Sequence, residues 1–409
     1  MRIAFLIGRK NYYRVLGPVV EEALRRGYQV ECWHDWSHPR RGKGYEFPDT
    51  VPAFPSGSPV VRAYYGGSDL AKQFGADLGG AVVCLDAPDP TVKAGTKAKW
   101  LYLQYSAEII LQQTPRGVLD ADAVAMYSSY WVDQLEARFA TFGLGDEIRR
   151  KSVTVGVPEM DVVHHIDPEE VRRRLRLPSD RPLVLYLPFP LRSNPQTFWL
   201  RHVYAPSTRV RQALRTLLAG RLEYWPHVTN RWNDRRLVQE LRAFCDRNGA
   251  VLVMKSRLKD PIPGYARRVA ARTLYDLSHY PPTILELLSV ASLCVHAYST
   301  AAFEAAYCKV PSLCLAPDAK DMGIPGLVSD FVHNGKRGGI YNWPGIAYWR
   351  PLVEAFDGLR QWSLADFPLD PRARSDYVER FLGFDDGRSS ARLLDLAAQL
   401  VESGSYARI

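Results

Sequence analysis

Four stretches of this chain carry side chains whose type and spacing could do chemistry. The most informative is Leu293–Leu315, LCVHAYSTAAFEAAYCKVPSLCL, which reads as strand, short loop, helix and strand. Ser299 and Thr300 fall where the helix begins. Free backbone N–H groups, the helix dipole and two hydroxyls at such a place suit a phosphate. Glu304 lies one turn after Thr300 on the same face, where a carboxylate could accept hydrogen bonds from ribose hydroxyls. The plainer alternative makes Ser299 an N-cap and Glu304 a surface carboxylate. A second stretch is Val251–Pro261, in which Lys255 and Arg257 follow a strand and point to one side; an ammonium and a forked guanidinium suit a diphosphate. A third, Leu185–Asn194, runs from a strand into a Pro-rich turn with Arg192 at its tip. The fourth set is three carboxylates that follow strands in the first half, Asp35, Asp86 and Glu108, which are candidates for a general base.

Other signatures point away from common chemistries. There is no GxxxxGK[ST] loop, no GxGxxG after the first strand and no GxSxG elbow, which disfavours a P-loop nucleotidase, a dinucleotide oxidoreductase and an α/β-hydrolase. Asp120-Ala-Asp122 reads as a turn before a strand. His34, His38, His164 and His165 form no metal-binding box, and the six cysteines have no CxxC spacing. No metal and no bound cofactor are expected.

The elements that must hold these residues follow from apolar runs. Arg2–Ile7 is a run without alternation, as in a parallel strand covered on both faces. Val15, Leu16, Val19, Val20, Ala23 and Leu24 then recur at helical spacing, Gly27 stands at the C′ position, and Gln29–Trp33 is the next strand. Further strands are expected at 81–85, 100–105, 124–127 and 153–157, with a helix over 130–140 and a long loop at 37–58. A second series begins at Pro182, with strands at 183–188, 251–255, 273–277, 293–297 and 312–315. Helices are expected at 210–218, 235–247, 283–291 and 300–308. A charged helix, Pro168–Leu175, links the two series. An amphipathic helix from Ser390 closes the chain, and core packing explains its apolar face better than membrane binding does.

The chain has 409 residues, 46% hydrophobic and 24% charged. That is more than one core supports, since cores stop growing near ~250–300 residues, and it excludes disordered, collagenous and coiled-coil chains. No apolar run approaches the ~20 residues of a membrane span, and MRIAFLIGRK reads as a first strand rather than a signal peptide, so a cytoplasmic protein is expected. The net charge of +9, from 53 Lys and Arg against 44 Asp and Glu, favours an anionic partner. Phosphates, an acidic glycan or peripheral contact with an anionic membrane would each meet it, whereas no nucleic-acid recognition motif accompanies it.

Several motifs in order give residues 156–409 a resemblance to the second half of GT-B glycosyltransferases, especially the CDP-glycerol glycerophosphotransferase branch, and more distantly to UDP-N-acetylglucosamine 2-epimerases. Gly156-Val-Pro158 and the stretch Leu175–Tyr186 are similar to the family's domain crossover. Pro188–Arg192 resembles its Pro-Thr-x-Arg turn, with one extra residue. Ser299, Thr300 and Glu304 stand where the family has nucleotide-binding serines and an acid. Gly338-Gly-Ile-Tyr341 with Pro344-Gly345 resembles its late loop, and Asp386–Ser390 its terminal Asp-Gly-x-Ser-Ser. The chain departs from the family at Leu103–Glu108, which lacks the family's histidine, at Lys255–Arg257, which replaces a His-Pro, and at His296–Thr300, which replaces Asp-Tyr-Ser-Ser.

The resemblance implies an α/β protein of GT-B type, two Rossmann-like domains with a cleft between them. The domains would be an acceptor-binding domain over 1–160, a linker over 161–181 and a nucleotide-donor domain over 182–370. A helical segment over 371–409 would pack back across both. The implied activity is metal-independent sugar transfer from a nucleotide-activated donor to a glycan or glycolipid acceptor in cell-envelope polysaccharide biosynthesis. Two alternatives are a transferase using a CDP-activated polyol phosphate and a non-catalytic nucleotide-sugar-binding protein. Donor contacts fall to Arg192, Lys255, Arg257, His296, Ser299, Thr300 and Glu304, and among the candidate bases Asp35, Asp86 and Glu108 the resemblance singles out Glu108, because the family's functional loop lies there.

Overall fold

The computed structural model describes residues 1–37, 47–74, 80–105, 114–188, 234–256, 262, 264–276, 278–316 and 335–403. The strands are β1 (Arg2–Ile7), β2 (Gln29–Asp35), β3 (Val60–Tyr64), β4 (Ala81–Cys84), β5 (Lys99–Leu103), β6 (Ala123–Met126) and β7 (Ser152–Thr154), followed by β8 (Leu183–Leu187), β9 (Val251–Lys255), β10 (Arg272–Leu274), β11 (Leu293–His296), β12 (Ser312–Ala316) and β13 (Ala347–Pro351). The helices are α1 (Tyr13–Arg25), α2 (Gly67–Phe74), α3 (Pro90–Ala94), α4 (Pro115–Leu119), α5 (Ser129–Ala140), α6 (Gly145–Lys151) and α7 (Pro168–Leu175), then α8 (Asp234–Arg247), α9 (Gly264–Val269), α10 (Thr283–Leu288), α11 (Ala301–Tyr307), α12 (Leu352–Gln361), α13 (Pro371–Leu382) and α14 (Ser389–Ser403). The expected helix at 210–218 lies outside the described residues.

The strands form two sheets, and every strand pair within them is parallel. The first has the order β3-β2-β1-β4-β5-β6-β7 and the second β10-β9-β8-β11-β12-β13. In each sheet the order reverses beside its first strand, the mark of a doubly wound fold. The chain divides into two compact units: 1–165 with 278–283 and 378–409, and 166–277 with 284–377. The division falls inside α13.

In the first unit, Ile3, Phe5 and Ile7 of β1 pack with Val15, Leu16, Val19 and Val20 of α1. The α1 helix stops because Gly27 takes φ +71° and lets the Tyr28 N–H reach the Ala23 carbonyl at 3.0 Å. Leu393, Leu394, Ala397 and Leu400 of α14 join the same core, so the terminal helix buries its apolar face as the core-packing reading expects. The second unit has its own core around Val184, Leu252, Val295 and Leu313 of the central strands, with Leu241 and Phe244 of α8 and Phe356 and Leu359 of α12.

Two expectations need correction. β3 and α2 follow the long loop but were not foreseen, because β3 is an edge strand whose first three residues face solvent and show no apolar alternation. β13 and α12 were missed for a similar reason: β13, AYWRP, is only partly buried. The charged helix α7 keeps its expected bounds. The Asp167 side chain accepts from the Glu169 N–H at 2.9 Å, Pro168 opens the helix, and acids precede bases along its dipole.

The terminal helix is fixed at its start by a carboxylate far away in sequence. Buried Asp161 accepts the Ser389 N–H at 3.0 Å and the Ser390 N–H at 2.6 Å. Gly156, at φ +88°, lies against Ser389, where a side chain would collide with the hydroxyl. The Asp-Gly-x-Ser-Ser motif is therefore, in this unit, a helix start capped by a distant acid. Asp161→Ala leaves two buried N–H donors unpaired and is expected to cost ~2–4 kcal/mol. A thermal or urea melt checks this, and an unchanged midpoint would count against the clamp.

Candidate functional site

Ligands of doubly wound sheets bind beyond the carboxyl ends of the strands, where the order reverses. In the first sheet that place lies between β1 and β4. The turn after β1 carries Asn11 and Tyr12. The Tyr12 hydroxyl donates to Asp86 Oδ2 at 2.8 Å, and Asp86, just past β4, is exposed. Tyr105 follows β5; its ring centroid is 5.1 Å from that of Tyr12, and its hydroxyl accepts from Asn11 Nδ2 at 2.6 Å. Burial and the Asp86 charge push the Tyr12 hydroxyl far above the ordinary tyrosine range, so it stays a donor to the carboxylate. Buried Glu159 is held by Arg14 at 2.7 Å. The other carboxylates fare differently. Asp35 Oδ1 accepts the Ser37 N–H at 2.9 Å, a turn role. Glu108 lies outside the described residues, as do Arg192 and Arg257.

In the second sheet the reversal lies between β8 and β11. β11 ends at His296, whose register partners are Leu187 and Cys314. The chain then turns sharply. Tyr298 adopts φ +46°, a left-handed conformation that costs about 1 kcal/mol or more for a side chain with a Cβ, and its N–H points at Cys314 Sγ at 3.4 Å. The Ser299 N–H donates to His296 Nδ1 at 3.3 Å, and Ser299 Oγ accepts the Ala301 N–H at 3.2 Å. The Ser299 hydroxyl thus serves the helix start, while Thr300 is exposed and makes no side-chain cap.

Glu304 is not the surface carboxylate of the plainer alternative. It is 4% exposed, because all seven residues of α11 are buried. Its charge helps to raise the Tyr377 hydroxyl and the Cys294 thiol above their ordinary ranges, each of which burial raises first. Tyr377 donates to the Ile340 carbonyl at 2.9 Å. Arg374 closes the other end of α11, donating to the Ala306 and Tyr307 carbonyls at 2.9 and 2.8 Å. Lys255 is 7% exposed and its ammonium sits 2.5 Å from Asp276, so it meets any anion already partly neutralised.

Asn11, Tyr105, Asp276, Arg374 and Tyr377 were not named from the sequence. The first two had a signal, since both stand just past strands; the others are brought in by packing alone. Among the described residues, no group of three or more His, Cys, Asp or Glu is placed to hold a metal ion, and no helix is long and apolar enough to cross a membrane. All six cysteines are free, five of them buried.

Two parallel α/β units with these strand orders define a fold of GT-B type. Neither models of known families nor curated protein sequences give a match. Solved structures do. The wall teichoic acid polymerase TagF superposes with a TM-score of 0.59 at 15% identity, over 98% of this chain and 89% of that one. The MnaA protein of S. aureus in complex with UDP superposes at 0.54 and 11% identity, over 100% of this chain and 99% of that one. A structure described as a UDP-N-acetylglucosamine 2-epimerase, from Listeria monocytogenes, also reaches 0.54, at 12% identity, over 100% and 98%. At such identities the likeness is one of fold.

Burial depresses two histidines. His296 is pushed down to about 3, and His34, which meets the Tyr13 hydroxyl at 2.7 Å, to about 4. An unfolded histidine takes its proton near ~6.5, so between that pH and 4 the unfolded chain binds more protons than the folded one. Stability is therefore present above about pH 6.5 and is lost as pH falls. Urea melts at pH 7 and pH 5 should show a loss approaching ~1.4 kcal/mol per pH unit for each histidine, smaller in His34→Phe or His296→Phe. Equal pH slopes in wild type and variants would mean that these rings are not buried neutral.

Proposed function

We propose that this chain is a glycosyltransferase that moves a sugar from a nucleotide-activated donor to a hydroxyl of a glycan or glycolipid acceptor in cell-surface polysaccharide synthesis. The observation that carries this reading is the loop from His296 to Thr300 at the strand-order reversal of the second sheet, leading into a helix that carries the buried Glu304. A carboxylate on that helix can accept from two ribose hydroxyls. Lys255, with Arg192 and Arg257 assigned from sequence, would offset the charge of the leaving diphosphate, a role that asks for no metal ion. The net charge of +9 is consistent with work at the anionic cytoplasmic face of a membrane.

For the base, Asp86 is favoured over Asp35 and Glu108. It is exposed beyond β4, at the reversal of the first sheet, and one oxygen is oriented by Tyr12. On this reading Asp86 takes the acceptor hydroxyl proton as that oxygen bonds to the anomeric carbon. The bond to the diphosphate breaks and its electron pair leaves with the nucleotide.

Thermal shift with nucleoside diphosphates tests the site, since a ligand of the native state raises its stability. Ribonucleotides are expected to bind better than 2′,3′-dideoxy analogues, and the near-isosteric Glu304→Gln should cut that preference by about tenfold. Equal binding of both ligand types by the wild type would displace the ribose from Glu304. A donor panel of UDP-sugars, CDP-sugars and CDP-glycerol separates sugar transfer from polyol-phosphate transfer, and slow donor hydrolysis separates both from mere binding.

Asp86→Asn should lower kcat by ~10²-fold or more and leave nucleotide affinity unchanged. Full activity in that variant would return the role to another group. Turnover should survive a strong chelator; loss restored by Mg²⁺ or Mn²⁺ would overturn the metal-free reading.

A further inference from the structure

We infer that His296 holds a phosphoryl oxygen of the donor's diphosphate through its Nε2–H, as an uncharged specificity residue of the nucleotide site. The inference rests on the nucleotide reading above and deepens it.

The tautomer follows from one contact. A backbone N–H can only donate, so the bond from Ser299 at 3.3 Å makes Nδ1 the acceptor. The proton of the neutral ring then resides on Nε2. That atom is fully buried and has no hydrogen-bond partner among the described residues. Buried donors without partners are rare in folded proteins, and each one points to a group that completes it.

Position narrows the class of that group. His296 is the last residue of β11, at the reversal of the second sheet, two residues before the left-handed Tyr298. By the alternation of a strand it shares a face with Cys294, whose thiol feels the Glu304 charge, so the ring lies on the α11 side of the sheet. Tyr341 flanks the imidazole at 5.9 Å between centroids and Tyr298 flanks Tyr341 at 5.4 Å, so the ring is held in place. Nε2–H can donate and cannot accept. It therefore selects an oxygen with lone pairs and no proton of its own to place, which describes a phosphoryl oxygen better than a ribose hydroxyl. Because burial keeps the ring neutral down to about pH 3, this contact adds a directed donor without adding charge.

The test uses the full chain labelled with [¹⁵N]histidine, with UDP and CDP as diphosphate probes and uridine and cytidine as controls. A diphosphate should shift the His296 Nε2–H resonance downfield and slow its exchange with solvent; the nucleosides should not. His296→Asn keeps an acceptor for Ser299 but lacks the distal donor, whereas His296→Gln keeps a donor near the Nε2 position. The Asn variant should bind the diphosphate about tenfold more weakly or worse with nucleoside binding unchanged, while the Gln variant should stay within about threefold of wild type. If a diphosphate binds the wild type but leaves Nε2–H unmoved, and His296→Asn binds it equally well, His296 is structural and the nucleotide site stands without it. If the Asn variant does not fold, the wild-type resonance decides alone. If neither diphosphate binds the wild type, this inference and the nucleotide reading fall together.

Discussion

Parallel strands buried on both faces must all release their chain at one end, and where the strand order reverses the two neighbouring connections leave in opposite directions. This constraint governs what each unit can present. In the first sheet it separates the turn after β1 from the turn after β4 and leaves Tyr12 and Asp86 to meet across the gap. In the second the order reverses between β8 and β11, where His296 ends its strand. Neither place is made by the residues that occupy it. Each is made by the crossover helices, whose apolar faces have no other way to be covered.

Buried charge is handled in three different ways. Glu31 is surrounded, accepting from the Trp33 indole N–H at 2.8 Å and from Arg2 at 2.7 Å. Asp161 is satisfied by amide N–H groups at the start of α14, although burial still leaves its carboxyl above the usual carboxylate range. These two acids read as parts of the architecture. Glu304 lies in a helix that is buried on every side, next to a strained loop, and it is the charge whose placement does most to make the second unit a binding candidate.

That helix is short, and seven residues would be marginal alone. Its stability comes from tertiary contacts. The Ser299 hydroxyl takes an amide at the start, Arg374 donates to two carbonyls at the end, and Phe303 packs on Tyr377 with centroids 6.1 Å apart. Arg374 is itself buried, so its guanidinium is held by α11 as firmly as it holds it. The loop from Ala297 to Thr300 is thereby stretched between a β-strand that cannot slip its register and a helix that cannot shift along its axis. Such anchoring lets a residue like Tyr298 persist at positive φ.

Much of this was legible in one dimension. Unbroken apolar runs gave the strands of two parallel sheets, 3.6-residue spacing gave α1, α5 and α14, and the Asp-Pro start with its acid-then-base order placed α7 from Pro168 to Leu175. These signals are local: each depends on residues a few positions apart that must share a face. The segment around His296, Ser299 and Glu304 stood out for the same reason, since strand, turn and helix are written in sequence. What the sequence did not carry was who meets whom. Nothing near Asp86 announces Tyr12, nothing near Lys255 announces Asp276, and nothing near Ser389 announces Asp161. Nothing near Glu304 announces Tyr377, whose hydroxyl feels its charge from far along the chain. The edge strand β3 was silent because its outer residues face water and need no pattern. Local periodicity records which face of an element is turned inward; only the folded chain decides what it is turned toward.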